Sequence, residues 1–418
     1  MIKGKDIIVV GLQPWDIKIG SNCKNIAIEL SKFNRVLYVN PPIDQFTLLK
    51  NRSEPAISKR LELIRTKKNL ISVGEKIWNL YPGNIIYSIN WLPGNRLFSF
   101  FNKVNNKKFS RDILRAVEKL DFKNYLLFND SDMLRSFSLI EILKPAFSIY
   151  YSRDNLMAVP YWYKHGHVLE PQLMKKSTIV CTNSEYLAEI AKKYNPHSFY
   201  VGQGCDLSKF DRSKEFTVPE DMRHIKGPII GYIGALLSLR LDLNLLAELC
   251  SIKKEWSFVF VGKEDDAFKN SPLHHLSNVH FLGLKEESLL ASYLNQFNVA
   301  INPQVINELT AGNYPRKIDE YLAMGKPVVA TSTKTMQTFS SYVYLAKTTS
   351  EYIESIERAL HENNPNLEQE RIQFAKTHTW ENSVDAICRA ILFVNPKMSD
   401  SRQEVHQLFQ QITDKDQF

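Results

Sequence analysis

Tyr314-Pro315-Arg316-Lys317-Ile318-Asp319-Glu320-Tyr321-Leu322-Ala323-Met324-Gly325-Lys326-Pro327-Val328-Val329-Ala330 packs a helix start, a helix, a glycine stop and a buried strand into one stretch. Pro315 suits the first turn of a helix, where a missing N–H costs nothing. Ile318, Tyr321 and Leu322 give an apolar face at helical spacing. Gly325 ends the helix and Pro327 forbids its return. Val328-Val329-Ala330 reads as a short buried strand. Lys317 and Glu320 stand three apart and share one helix face. A cation and a carboxylate placed so can hold a phosphate and a sugar diol together. An ordinary surface ion pair would look the same in the bare pattern.

Upstream, Gly231-Tyr232-Ile233-Gly234-Ala235 follows an apolar run and precedes a helix expected near Leu241. A glycine turn at a strand's carboxyl end lets the backbone approach a diphosphate, with the helix N-terminus facing it. Phe258–Val261 ends in Gly262, and Phe281-Leu282 ends in Gly283. Such endings are also common turn chemistry.

Together these residues resemble the donor half of GT-B glycosyltransferases, family-4-like. The match runs through Pro315, Lys317, Glu320, Tyr321, Leu322, Ala323, Gly325, Lys326, Pro327, Val328 and Val329. The resemblance implies that Glu320 holds the ribose hydroxyls of a nucleotide-diphosphate sugar and that cations nearby meet its diphosphate. It places Gly234, Arg240, Gly262, Gly283, Tyr314, Lys317 and Glu320 among the donor-binding residues. Two departures stand out. The family's arginine after the glycine turn is replaced by Ala235, leaving Arg240 as a candidate and Lys317 as the stronger one. The second glutamate of many retaining members falls at Gly312, and the nearest upstream carboxylate is Glu308. Retaining stereochemistry therefore does not carry over. The Asn307-Glu308-Leu309-Thr310 stretch resembles the teichuronic-acid-type branch of bacterial cell-surface polysaccharide transferases.

At 418 residues the chain is long for one domain. The front half alternates strand-like runs (Ile7–Leu12, Val36–Val39, Ile85–Ile89, Tyr125–Phe128, Phe147–Tyr151, Thr178–Cys181, Phe199–Val201) with helical patterns (Asn22–Phe33, Ser110–Leu120, Met133–Leu143, Glu185–Tyr194). The pattern restarts at Gly227. Continuous apolar strands between helices mean parallel sheets covered on both faces. The fold expected is α/β: two Rossmann-like, doubly wound domains, which the resemblance implies face a central cleft. The boundaries expected are 1–205 for an acceptor-binding domain and 206–378 for a nucleotide-sugar-binding domain. A helix at 379–394 is expected to pack back across the domains, and 395–418 is a polar tail.

The five cysteines are scattered and form no C-x-x-C pair, which argues for reduced thiols and against zinc. His165 and His167 lack a third ligand at metal spacing. The apolar run from Ile7 lacks the length and cleavage site of a signal peptide, and no segment approaches a membrane span. A cytoplasmic protein is expected. Charge is uneven: residues 1–200 carry 30 Lys+Arg against 17 Asp+Glu, and the remainder 23 against 28. A net +13 in front suggests an anionic partner for that half, and a solvated basic surface fits equally. Cations and rings interleave between Asn51 and Lys108. Most of those rings read as core, and Trp91–Lys108 reads as a partner surface, suited to anionic lipid at the inner membrane face. No nucleic-acid module is visible.

Tyr151-Ser152-Arg153-Asp154-Asn155 ends a buried strand, and open α/β sheets bind ligands at such ends. Asp154 is thereby a candidate catalytic base for an acceptor hydroxyl, with Asp130 and Asp132 as rivals and a turn aspartate as the plain alternative. In the loop after the first strand, Asp16 and Lys18 are candidate ligand contacts, and Ser21 or Asn22 a helix cap. The expected function is transfer of a sugar from a nucleotide-diphosphate sugar to a glycan acceptor, lipid-linked, without a cofactor or metal. Two rivals are a sugar-nucleotide epimerase on the same plan and a non-catalytic binding protein.

Overall fold

The computed structural model describes residues 1–16, 20–93, 95–362 and 364–398. Lys18 and the tail beyond 398 lie outside the described residues. The chain divides into two compact units, Met1–Gly202 with the segment from Trp380 onward, and Gln203–Thr379.

The first unit holds an eight-stranded sheet. In chain order its strands are β1 (Asp6–Val10), β2 (Arg35–Val39), β3 (Leu70–Ser72), β4 (Ile77–Leu80), β5 (Leu126–Asp130), β6 (Phe147–Ser152), β7 (Ile179–Thr182) and β8 (Ser198–Tyr200). Their order across the sheet is β3-β4-β2-β1-β5-β6-β7-β8. The central strands are Val-, Ile-, Leu- and Tyr-rich and buried on both faces, which is why they pair in parallel. The wholly parallel sheet expected is corrected at one edge, where β3 pairs antiparallel with β4. Ile85–Ile89 is not a strand; Ile86 makes only an isolated bridge to Asp44. Ser21 is the cap of the first helix, Asn22–Ser31, its hydroxyl accepting from the Lys24 N–H.

The stretch from Asn51 is more regular than its composition suggests. It contains helices Pro55–Arg65 and Asn95–Leu120. Only the last turns of the long helix were legible, because its buried face carries asparagines. Asn105 bonds both the N–H and the carbonyl of Tyr87, and Asn106 bonds the carbonyls of Asn102 and Leu134. Those amides break the apolar periodicity while satisfying buried backbone.

The C-terminal helix, Trp380–Val394, belongs to the first unit. Trp380, Val384, Ile387, Cys388 and Ile391 join Ile7, Val9, Ile26, Leu30 and Tyr151 in one core. Its apolar side recurs at i, i+3, i+4, i+7, as a helix with one buried face requires.

The second unit holds a parallel six-stranded sheet: β9 (Ile229–Ile233), β10 (Ser257–Val261), β11 (Val279–Gly283), β12 (Val299–Asn302), β13 (Val328–Thr331) and β14 (Tyr344–Ala346), in the order β11-β10-β9-β12-β13-β14. Two cores cover its two faces, one of them lined by Ile318, Tyr321 and Leu322. All five cysteines are buried free thiols.

Candidate functional site

The carboxyl ends of β9, β10 and β11 meet in the second unit through their glycines. The Gly234 N–H donates to the Val261 carbonyl, and the Gly262 N–H to the Gly283 carbonyl, each at 2.9 Å. A Cβ on Gly262 would lie 1.9 Å from the Gly234 oxygen, and its φ is +157°. No other residue fits that approach.

The helix Lys317–Ala323 is fastened to this edge. The Tyr321 hydroxyl accepts from the Ile233 N–H (2.9 Å) and donates to the Ile233 carbonyl (3.2 Å). Two residues before Gly234, the Tyr232 hydroxyl accepts from Lys317 Nζ at 2.7 Å, and the ammonium sits 4.5 Å from the ring centroid. A Cβ on Gly234 would come within 3.0 Å of Lys317 Nζ. The cation is therefore held over the glycine turn. Gly325, at φ +68°, turns the chain out of the helix as its position predicts.

Glu320 is half-buried one turn beyond Lys317. Among the described residues its carboxylate has no hydrogen bond or ion pair. Burial pushes its carboxyl up to about 7, against the pull of Arg316 and Lys317, with Asp319 and Glu287 adding to the rise. An acid poised near neutrality without a partner is a common mark of a ligand site.

Other expected residues fall differently. Arg240 is exposed on the loop after β9, and only its backbone is engaged, the carbonyl accepting from the Val305 N–H at 3.0 Å. No contact joins its guanidinium to Lys317 or Glu320 among the described residues. The helix expected near Leu241 starts at Leu243, capped by Asp242, whose carboxylate accepts from the Leu245 N–H. That helix start already holds an anion, so it does not present a free N-terminus to a diphosphate. Tyr314 is buried, and its hydroxyl donates to Asp319 Oδ1 at 3.2 Å. Gly312 is buried at the C-terminal end of the short helix Glu308–Ala311, and the N-cap Asn307 forms a capping box with Thr310.

In the first unit, Arg153 bridges two carboxylates: Nε to Asp130 Oδ1 at 2.8 Å and Nη1 to Asp154 Oδ2 at 2.9 Å. Asp130 has no exposure, and burial raises its carboxyl against the opposing pull of Arg153. Asp132 is equally buried and paired with Arg135. Of the three rivals only Asp154, with its side chain 27% exposed, is open to a substrate. Asp16 is tied to the buried Arg60 at 2.7 Å. His165 stacks on Phe98 and His167 bonds the Tyr163 carbonyl. No group of three His, Cys, Asp or Glu among the described residues could hold a metal.

Sequence reasoning missed Asp319 and His378. Asp319 is fully buried, with Oδ1 2.7 Å from His378 Nδ1. The two are 59 residues apart, and nothing in their spacing announces the pair.

Residues 227–362 match the family of glycosyl transferases group 1. The second unit carries a glycosyl transferases group 1 domain. TuaH of Bacillus subtilis, named as a teichuronic acid biosynthesis glycosyltransferase, is 26% identical over 226 residues. That match covers 50% of this chain and 56% of TuaH, so the chain spans little more than half the length of this relative. Among solved structures, sucrose-phosphate synthase from Thermosynechococcus elongatus superposes with a TM-score of 0.65 at 14% identity, covering 93% of this chain and 98% of that one. The Anabaena HepE protein, in complex with UDP and glucose, gives 0.60 at 13% identity, covering 93% and 99%. The fold is GT-B, with two Rossmann-like parallel-sheet domains.

Gly262→Ala is expected to destabilise the second unit by about 2 kcal/mol or more, since both the contact and the backbone are strained. Gly83→Ala, whose Cβ would meet nothing closer than 3.7 Å, serves as the control. Urea denaturation compares them, and equal midpoints would refute the steric argument.

Proposed function

We propose that the chain is a glycosyltransferase of cell-surface polysaccharide biosynthesis, which takes a sugar from a nucleotide-diphosphate donor to a lipid-linked glycan acceptor. The observation that carries this reading is the Lys317 ammonium held over the Gly234 turn, with the unpartnered Glu320 carboxylate one helical turn away. A diphosphate needs a cation beside close backbone, and a ribose diol needs a carboxylate acceptor. Lys317 supplies the first and Glu320 the second, with Gly234, Gly262 and Gly283 lining the slot. Arg316, half-buried on the same turn, adds charge; Arg240 is a further candidate cation from its loop. The TuaH relative supports polysaccharide chemistry, and the UDP and glucose of the HepE protein make UDP the first probe. No cofactor or protein-bound metal enters this reading, and the protein works in the cytoplasm.

Asp154 is the proposed acceptor base. A carboxylate that keeps one oxygen on Arg153 and is exposed can still accept a proton from an incoming hydroxyl. The membrane reading rests on the first unit's surface. Phe46, Trp91, Phe100, Tyr161 and Tyr163 are each more than half exposed. The Ser88 hydroxyl accepts from the Phe46 N–H and its carbonyl from Trp91 Nε1, while Lys164 Nζ donates to the Trp91 carbonyl. Exposed Lys50 shares the helix Gln45–Lys50 with Phe46, exposed Arg52 follows it, and exposed Arg96 and Lys103 share the helix Asn95–Leu120 with Phe100. Rings that sit at headgroup depth beside cations suit anionic lipid. No helix among the described residues is long and apolar enough to cross a membrane.

UDP affinity should rise roughly tenfold between pH 6 and pH 8, because the Glu320 carboxyl, titrating at about 7 in the empty site, accepts the ribose hydroxyls best when ionised. Glu320→Gln should bind about tenfold more weakly at pH 8 and lose that part of the pH dependence. Calorimetry reads both, and superimposable pH profiles would remove Glu320 from the ribose.

Nucleotide release from a panel of nucleotide-sugars, with and without a membrane-lipid extract as acceptor, separates the rivals. An epimerase converts the donor without acceptor, and a binding protein releases nothing. In the same assay Asp154→Asn should lower turnover by roughly 10²–10⁴ with donor affinity unchanged. Persistent turnover places the base elsewhere.

Flotation with vesicles should recover the protein on anionic but not neutral lipid, and less at high salt. Trp91→Ser with Phe100→Ser should abolish recovery. Equal recovery on both lipids counts against a headgroup-directed surface.

A further inference from the structure

Asp319 lies between the two proposed donor ligands, two residues after Lys317 and one before Glu320. It faces the opposite way, into the unit. Oδ1 accepts from the Tyr314 hydroxyl and lies 2.7 Å from His378 Nδ1, while Oδ2 is buried without any partner. A carboxylate so placed is costly, and an apolar side chain of similar size would fill the space at lower cost. The expense calls for a role other than packing.

His378 is held as firmly as the acid. Its ring sits edge-on among Tyr314, Phe339 and Phe374. Its carbonyl accepts from the Cys205 N–H at 2.9 Å, and its own N–H donates to the Ala375 carbonyl. Because Nδ1 serves a carboxylate, it carries the proton; the Tyr314 hydroxyl, 3.3 Å from Nδ1, therefore turns its hydrogen to Asp319. His378 and Cys205 stand at the two ends of the second unit's chain. Those ends are stitched together at the point where the histidine grips the helix of Lys317 and Glu320.

We propose that Asp319 and His378 are a positioning pair for the donor ligands. The tether runs from the paired chain ends through His378 and Asp319 into the helix, and it fixes the rotation of that helix about its axis. Lys317 and Glu320 project from the first turn, so a small rotation moves both relative to the Gly234 turn. Tyr321 and the Lys317–Tyr232 contact hold the far side of the same helix. Side chains that must meet a diphosphate and a diol at once need such two-sided fixing. The proposal rests on the donor reading above.

The test measures UDP affinity and thermal stability of the whole chain in three variants. His378→Phe fills the cage without the N–H and should weaken UDP about tenfold. His378→Asn returns an N–H donor near the place of Nδ1 and should bind within about twofold of the natural protein. Asp319→Leu with His378→Phe replaces the pair by apolar groups; it should keep the melting temperature and still lose about tenfold in affinity. Natural affinity in folded His378→Phe and in the double variant overturns the proposal and leaves the donor reading intact. So does equal weakening by His378→Asn and His378→Phe in step with melting temperature, which is the signature of lost packing alone. A natural protein that binds neither UDP nor any other nucleoside diphosphate removes the donor reading and this proposal together.

Discussion

The second unit is organised around one close approach, the Gly262 backbone against the Gly234 carbonyl. Two strand ends that near leave no room for side chains between them, so the edge of the sheet presents backbone. That close backbone suits a small or flat group, and the Lys317 ammonium held over it favours an anion. The site helix is then set by two phenols. Tyr321 reaches β9 from the buried side of the helix, and Tyr232 reaches Lys317 from the sheet. Tyr321 spends its hydroxyl on the Ile233 backbone and Tyr232 accepts from Lys317, so the distance between helix and glycine turn is fixed by ring length rather than by packing of flexible chains. The Lys317 ammonium pays for its partial burial by sitting on the Tyr232 ring, a contact that a diphosphate could replace with a stronger one.

Much of this was legible because local chemistry and tertiary role agree along Tyr314–Ala330. The helix stop at Gly325, the buried face of Ile318, Tyr321 and Leu322 and the buried strand of Val328–Thr331 all stand where spacing puts them. Residues whose meaning depends on distant partners were not legible. Asp319 carries no signal of its own, and its partner His378 stands 59 residues further on, beyond β13, β14 and two helices. Tyr314 read as a ligand residue because of its place beside the motif, yet its hydroxyl turns inward to that same pair. The helix after β9 looked like a free N-terminus until Asp242 was seen to cap it.

The first unit was harder for a related reason. Its strands β1, β2 and β5 to β7 are buried on both faces and announce themselves as apolar runs. The long helix Asn95–Leu120 does not, since Asn102, Asn105 and Asn106 occupy its buried side. Those amides satisfy the backbone of Tyr87 and Leu134, segments that lack a ladder of their own. A polar residue facing inward thus marks an irregular neighbour rather than a solvent face. The antiparallel β3 is a second case: three residues of middling burial at a sheet edge carry too little periodicity to be read.

Buried carboxylates provide the last step. Asp130, Asp132 and Asp319 all have no exposure, and each would be expensive if ionised and unpaired. Asp130 uses Oδ1 on Arg153 and Oδ2 on the Leu12 N–H, and Asp132 uses both oxygens on Arg135 and its N–H. Both acids are thereby accounted for by the loops they hold at strand ends. Their satisfaction also explains why Asp154 stands out, since it takes only what remains of the Arg153 guanidinium and keeps an oxygen for solvent. Asp319 is the exception, with one oxygen satisfied twice and the other not at all. A residue kept at that cost, next to Glu320 and tied to the meeting point of the unit's two chain ends, is explained by what it holds in place rather than by the stability it adds.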